Sequence, residues 1–282
     1  MRPTIALIIV DPQVDFVDPQ GKLPIPGAPK VADSIAKFIK EFKINIYKII
    51  ITRDSHRPDH FENALMWTDL IIGKQLPNVT RTISYQDIKN GRYGIADDGR
   101  GYGSSGGTRW YDAILDWIER RGEITLWPRH CVTGSVGAAI YPGILDAVSV
   151  WELYDQGNNR VEYLDKGMES WLPAYSAFSE GDFWRTQRSL SDKVKDWMMG
   201  VRRKGPSKVD YVVVCGFAED YCVAACVDDL IFGGFDRDLV IPKDLCAPIL
   251  TEHEHPIYSY ARYKGVKVLS SYKDIAELPK DK

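Results

Sequence analysis

The chain opens on an unbroken apolar run, Ile5 to Val10 (IALIIV), with no polar position alternating into it. A strand exposed on one face shows a period of two, whereas a run apolar at every position suits a parallel strand covered on both faces. After a Pro/Gly stretch, Lys30 to Phe42 places Val31, Ile35, Phe38, Ile39 and Phe42 at helical spacing. Tyr47 to Thr52 (YKIIIT) reads as the next strand and Val161 to Leu164 as a short one. Val209 to Cys215 (VDYVVVC) is the clearest buried strand, with a helix following over Tyr221 to Phe232. Leu239 to Ile241, a helix over His253 to Tyr263, and Val266 to Leu269 complete the alternation. Repeated βα units predict an α/β fold with a mostly parallel sheet and helices on both faces. Ligands in such folds bind beyond the C-terminal ends of the strands, so polar residues just after each apolar run come first as candidates.

One region departs from this rhythm. From about Asn63 to Glu123 no clear strand is legible, and Gly91 to Gly107 holds seven glycines in seventeen residues. A helix over Thr108 to Arg121 then carries Trp110, Ile114, Trp117 and Ile118 on one face. The glycine-rich stretch lacks the residues to pack a core of its own, so the segment reads as an insertion or cover within a single domain spanning 1–282. Gly101-Tyr102-Gly103-Ser104-Ser105-Gly106 matches the G-x-G-x-x-G pattern, but no strand runs into it. Without that strand the glycines cannot form the turn beneath a pyrophosphate, and a flexible loop is the better reading.

Composition narrows the classes. Of 282 residues, 44% are hydrophobic and 27% charged, which is ordinary globular composition. The net charge of −3 gives no electrostatic reason to expect nucleic acid or an anionic membrane as partner. The apolar runs are far too short to span a bilayer, and no signal-peptide pattern follows Arg2 and Pro3. The five cysteines are sparse and include no C-x-x-C pair, as in a reduced, cytoplasmic protein.

With only five histidines in the chain, their placement is informative. Asp54, His56 and His60 fall within seven residues just beyond the strand ending at Thr52, a mixed oxygen and nitrogen set that suits a divalent metal or, equally, a solvated polar loop. His130 follows another apolar run, Glu123 to Trp127, which strengthens the metal reading. His253 and His255 start a late helix and look like exposed cap-region residues. Cys222 sits where a strand and a Gly-containing turn lead into a helix. Helix N-terminal amides favour a thiolate there, although Cys222 and Cys226 at i and i+4 also fit a small-residue core contact. Asp11 follows the first strand directly, as a proton acceptor or as a turn residue.

Together these residues resemble the isochorismatase-like cysteine hydrolases, and most closely their nicotinamidase branch. Four blocks carry the resemblance: ALIIVDPQVDF (Ala6 to Phe16), TRDSHRPDHF (Thr52 to Phe61), WPRHC (Trp127 to Cys131) and VCGFAEDYCV (Val214 to Val223). A fifth, DKGMESWLPAYSAF (Asp165 to Phe178), is weaker. The resemblance implies a three-layer αβα fold and a triad of Cys222 as nucleophile, Asp11 as proton acceptor and Lys166. It implies an oxyanion hole from the backbone N–H groups of Ala218 and Cys222, with a cis peptide between Phe217 and Ala218. Asp54, His56 and His130 match the family's metal ligands, with His60 as a fourth ligand or a neighbour of the ion. Phe16, Trp127 and Tyr175 match the aromatic walls around the substrate ring. The implied cofactor is one divalent metal ion, Zn2+ before Fe2+ or Mn2+, and the implied reaction is hydrolysis of nicotinamide, or a pyridine carboxamide analogue, through a Cys thioester. No nucleic acid or membrane partner is implied; self-association as a homo-oligomer is left open. Alternatives are a hydrolase of another small amide or an enol ether, and a catalytically silent binding module. Departures from the family pattern are Ser55 in place of Trp, Tyr221 in place of His, a longer spacing from Lys166 to Tyr175, and the long stretch between His60 and Trp127.

Overall fold

The computed structural model describes residues 2–95, 109–154, 160–173, 175–178, 209–250 and 256–280. In chain order its elements are β1 (Ile5–Val10), α1 (Val14–Val17), α2 (Ala28–Phe42), β2 (Ile46–Asp54), β3 (Trp67–Asp69), β4 (Lys74–Gln75), β5 (Arg81–Ser84), α3 (Tyr85–Lys89) and β6 (Tyr93–Ile95). They continue with α4 (Arg109–Arg121), β7 (Glu123–Leu126), α5 (Pro142–Tyr154), β8 (Val161–Lys166), β9 (Tyr211–Phe217), α6 (Ala224–Phe232), β10 (Leu239–Pro242), β11 (Cys246–Ala247), α7 (Pro256–Tyr263) and β12 (Lys267–Leu269).

The main sheet runs β12-β10-β9-β1-β2-β8, with β11 paired to β9, and every pairing in it is parallel. β1 and β9 lie at its centre and are buried at every position, which is why both read as unbroken apolar runs. From β1 the chain moves through β2 toward β8, and from β9 it moves the other way through β10 to β12. Right-handed crossovers then place α2 and α5 on one face and α6 and α7 on the other. The direction of winding reverses between β1 and β9, and such a switch point opens a crevice at the strand ends.

Helix α2 illustrates how the faces are covered. Gly27 at φ 76° turns the chain into it, a proline follows in its first turn, and Ala32, Ile35, Phe38, Ile39 and Phe42 form its buried stripe. No helix among the described residues is long and apolar enough to cross a membrane.

The segment between about Asn63 and Glu123 differs from expectation. It contains β3, β4, β5 and β6, and β3 pairs antiparallel with β4 and β6 while β5 pairs antiparallel with β7. It also packs a hydrophobic cluster of its own, in which Trp67, Ile83, Ile95, Ile114, Ile118 and Leu126 are buried. Strands of two to four residues are too short to show a period, so only their packing reveals them. The run before His130 is likewise β7 of this antiparallel pair rather than a strand of the main sheet. The G-x-G-x-x-G match, most of the glycine-rich stretch, the Trp110 side chain, His253 and His255 lie outside the described residues.

Candidate active site

Three strand ends deliver the triad candidates to one point. Asp11 follows β1 at φ 48°, a left-handed conformation that a non-glycine residue holds only when its surroundings enforce it. Lys166 is the last residue of β8 and Cys222 lies in the π-helical turn Glu219–Val223 between β9 and α6. The helix expected from Tyr221 begins at Ala224 instead; the wider turn comes first and carries the thiol. The Lys166 ammonium lies 2.9 Å from Asp11 Oδ2 and donates to Cys222 Sγ at 3.4 Å. All three side chains are buried. The peptide bond between Phe217 and Ala218 is cis. Gly216 precedes it at φ 122°, where a Cβ would lie 2.2 Å from the Val10 carbonyl oxygen, so β1 and β9 can close together only around a glycine.

Asp54 ends β2 directly opposite Lys166 in the ladder, and its Oδ1 accepts a hydrogen bond from the Lys166 ammonium. Its other oxygen, Oδ2, lies 3.6 Å from His56 Nε2 and 3.7 Å from His130 Nε2. One carboxylate therefore joins the triad to the histidine pair.

Burial and charge set the protonation states. Burial raises the Asp11 carboxyl to about 6, with Lys166 pulling it down and Asp54 pushing it up. Burial would lower the Lys166 ammonium, but Asp11 and Asp54 hold it well above the ordinary lysine range. Burial likewise opposes ionisation of Asp54, yet Lys166 and His56 keep it well below the usual carboxylate range. Burial pushes the Cys222 thiol up, and Lys166 is the group that opposes this. The site thus rests with a charged lysine, an ionised Asp54 and a thiol that needs a base.

Asp54, His56 and His130 bring one donor atom each to within 4.8 Å of one another, all buried. Burial lowers His56, favouring the neutral imidazole that a metal requires, and its Nδ1 is buried without a hydrogen-bond partner. His130 Nδ1 lies 2.7 Å from the Pro128 carbonyl; a carbonyl only accepts, so Nδ1 carries a proton, and Nε2 is the ring nitrogen turned toward Asp54. This donor set fits a divalent cation with nitrogen and oxygen ligands.

His60 does not join it. Its Nε2 donates to the Leu172 carbonyl at 2.9 Å and its Nδ1 accepts the Glu62 N–H at 3.3 Å, so both ring nitrogens hold backbone. Its ring lies 4.5 Å from that of His56, as a neighbour of the donor set.

Beside these groups opens a cavity with an empty volume of about 380 Å³. Phe16, Trp127 and Tyr175 line it, together with Ala218 and Cys222. Tyr221 adds a fourth aromatic wall, its ring 4.8 Å from that of Trp127 and 5.9 Å from that of Tyr175. Leu23, Ile249 and the buried Glu62 also line the cavity and were not singled out from the sequence. Glu62 carried a signal, standing just beyond the Asp54 to His60 block; Leu23 and Ile249 carried none, because ordinary aliphatic residues in loops are indistinguishable without contacts.

Curated nicotinamidases are similar to this chain. Nicotinamidase of Saccharomyces cerevisiae is 25% identical over 219 residues, covering 78% of this chain and 77% of that protein. Nicotinamidase of Acinetobacter baylyi is 27% identical over 244 residues, covering 86% and 81%. Nicotinamidase/pyrazinamidase of Mycobacterium tuberculosis is 24% identical over 268 residues, covering 94% and 98%. Among solved structures, yeast nicotinamidase bound to the inhibitor nicotinaldehyde superposes with a TM-score of 0.61 at 21% identity, covering 94% of this chain and 99% of that one. Pyrazinamidase of Pyrococcus horikoshii in complex with zinc superposes with a TM-score of 0.54 at 23% identity, covering 95% and 99%. No family model matches the chain. The fold is shared with these structures, and in sequence the chain is similar to nicotinamidases.

Proposed function

We propose that the protein is a hydrolase that converts nicotinamide to nicotinate and ammonia through a thioester on Cys222. The observation that carries this reading is the contact of one buried ammonium, Lys166, with Asp11, Asp54 and Cys222 at the edge of an aromatic-walled cavity. Likeness to nicotinamidases along most of the chain supports the choice of substrate.

Asp11 receives the Cys222 proton, because Asp54, the other carboxylate within 4.8 Å of the thiol, is taken up by Lys166 and the histidine pair, and Lys166 stabilises the thiolate and carboxylate in turn. The thiolate attacks the carboxamide carbon, and the oxyanion that develops faces the backbone N–H groups of Ala218 and Cys222. Asp11 returns the proton to the leaving nitrogen, the C–N bond breaks and ammonia departs. A water molecule then attacks the thioester, giving one proton to Asp11; the C–S bond breaks, Asp11 passes that proton to the Cys222 sulfur, and the released acid ionises to nicotinate. Phe16, Trp127, Tyr175 and Tyr221 would enclose the flat ring and exclude water. A divalent cation held by Asp54, His56 and His130 would supply a Lewis acid for the ring nitrogen, with zinc as the fitting ion.

The test is ammonia release from nicotinamide by purified protein, with metal analysis of the same sample. Turnover that falls after chelation and returns with Zn2+ is the expected result. Absence of nicotinamide turnover in metal-replete protein would overturn the substrate assignment.

A further inference from the structure

We infer that Gln13 and Asp15 are positioning residues that set the spacing of the Asp54, His56 and His130 donors by gripping the backbone of the loops that carry them. Both lie in the segment after β1, and neither touches the cavity. Gln13 is completely buried. Its Oε1 accepts the Asp54 N–H at 2.8 Å, while Nε2 donates to the Asp54 carbonyl at 2.7 Å and to the Ala138 carbonyl at 3.0 Å. The amide thus does at the end of β2 what a neighbouring strand would do, holding both polar groups of the residue whose carboxylate joins triad and histidines.

Asp15 performs the matching task for His130. Its Oδ2 accepts the Cys131 N–H at 2.7 Å and its Oδ1 accepts the Lys22 N–H at 3.0 Å. Cys131 is held at φ 45° immediately after His130, so this bond fixes the loop in a conformation it would not choose alone. Asp15 is 5% exposed. Burying a carboxylate on backbone N–H groups is costly, and an apolar residue would fill the space more cheaply. What the carboxylate provides is position.

A third loop is drawn in by the same two side chains. A Cβ on Gly137 would lie 2.1 Å from Asp15 Oδ2, so that loop can approach only with glycine there, and Ala138 beside it is held by Gln13. Asp11, Gln13 and Asp15 therefore reach, from five consecutive residues, the triad, the Asp54 end of β2 and the His130 loop.

The inference rests on reading Asp54, His56 and His130 as metal donors, and the test separates the two. Metal-free protein is titrated with Zn2+ against a chromophoric chelator, and its thermal midpoint is recorded without metal. Asp15→Asn turns one acceptor into a donor facing an N–H, and Gln13→Glu removes both donors to carbonyls. Each is expected to weaken Zn2+ binding on the order of 10- to 100-fold, as loss of partners behind metal ligands does. Asp244→Asn is the control: Asp244 accepts the Tyr272 N–H at 2.8 Å and the Ser271 hydroxyl at 2.7 Å away from the cavity, so it should lower the midpoint and leave Zn2+ affinity unchanged. Zn2+ affinity equal to wild type in Asp15→Asn and Gln13→Glu, with only the midpoint lowered, overturns the inference. A wild-type chain that binds no Zn2+ overturns the donor reading beneath it instead. Both variants are close in shape to the residues they replace; should one not fold, the other decides.

Discussion

In the parallel sheet β1 and β9 are buried through their length, β2 and β8 carry polar residues as well, and in all four the chemistry stands at or just beyond the strand's end: Asp11 follows Val10, Asp54 closes β2, Lys166 closes β8, and Cys222 follows β9 after one turn. Between Phe61 and Leu126 the strands are shorter and antiparallel, packed around Trp67, Ile114 and Ile118. This second cluster touches the site at its margin, through Phe61 stacked on His60 and through the chain running from Leu126 into Trp127. Reacting groups must hold close positions, and strand ends held in a ladder of hydrogen bonds supply that. Walls and approaches tolerate more movement, and a smaller core suffices for them.

This contrast can be broken in four places. The largest effect is expected from Cys222→Ala, which should cut ammonia release from nicotinamide by roughly 10⁴-fold or more while the fold survives. Retained turnover would remove the sheet side of the comparison altogether.

Lys166→Met comes next. It leaves Asp11 and Asp54 buried without their shared cation, and stripping one partner from a buried ion pair costs about 3–5 kcal/mol. Denaturant unfolding measures it, and a loss below about 1 kcal/mol would show that the ammonium is not what holds the two carboxylates.

The third effect is on pH dependence. Asp11 must be ionised to take the thiol proton, and its carboxyl is raised to about 6. Below that pH the competent fraction falls, so kcat/KM should drop tenfold per unit on the acid side. Thr52→Val should move that limb upward, because the Thr52 hydroxyl donates to Asp11 Oδ1 at 2.6 Å and favours the charged form. An acid limb that stays in place in Thr52→Val would argue that another group sets it.

The smallest effect on turnover is expected from Ile118→Ala. Emptying this fully buried position should cost about 2–5 kcal/mol of stability, felt in the second cluster, with kcat little changed. A collapse of kcat matching that of Cys222→Ala would show that the two regions do not divide the work.

Legibility followed the same division. β1 and β9 were readable because strands buried on both faces leave unbroken apolar runs, β2 because Ile49 to Ile51 leave a shorter one, and Asp11, Asp54 and Cys222 were readable because they stand just beyond those runs. β3 to β6 were not, since strands this short carry no period. Tyr221 was visible only as a departure from a family pattern, and its place as a fourth wall depends on how the turn after β9 rotates it toward Trp127. Gln13 and Asp15 looked like any polar residues of a turn.

By itself the sequence determined the parallel α/β architecture, because apolar periodicity records how many faces of an element are buried. It also singled out Asp11, Asp54, His56, His130 and Cys222 as candidates to carry chemistry, and Lys166 only through the family resemblance. Only the tertiary structure decided that His60 turns both ring nitrogens to backbone, that one lysine serves three partners, and that the long segment before Trp127 packs a core. The first two depend on contacts between residues far apart in the chain, such as Lys166 with Asp54 and His60 with Leu172, each 112 positions apart. A local pattern constrains what a side chain can do, but the partner it meets is set by how the strands are ordered in space.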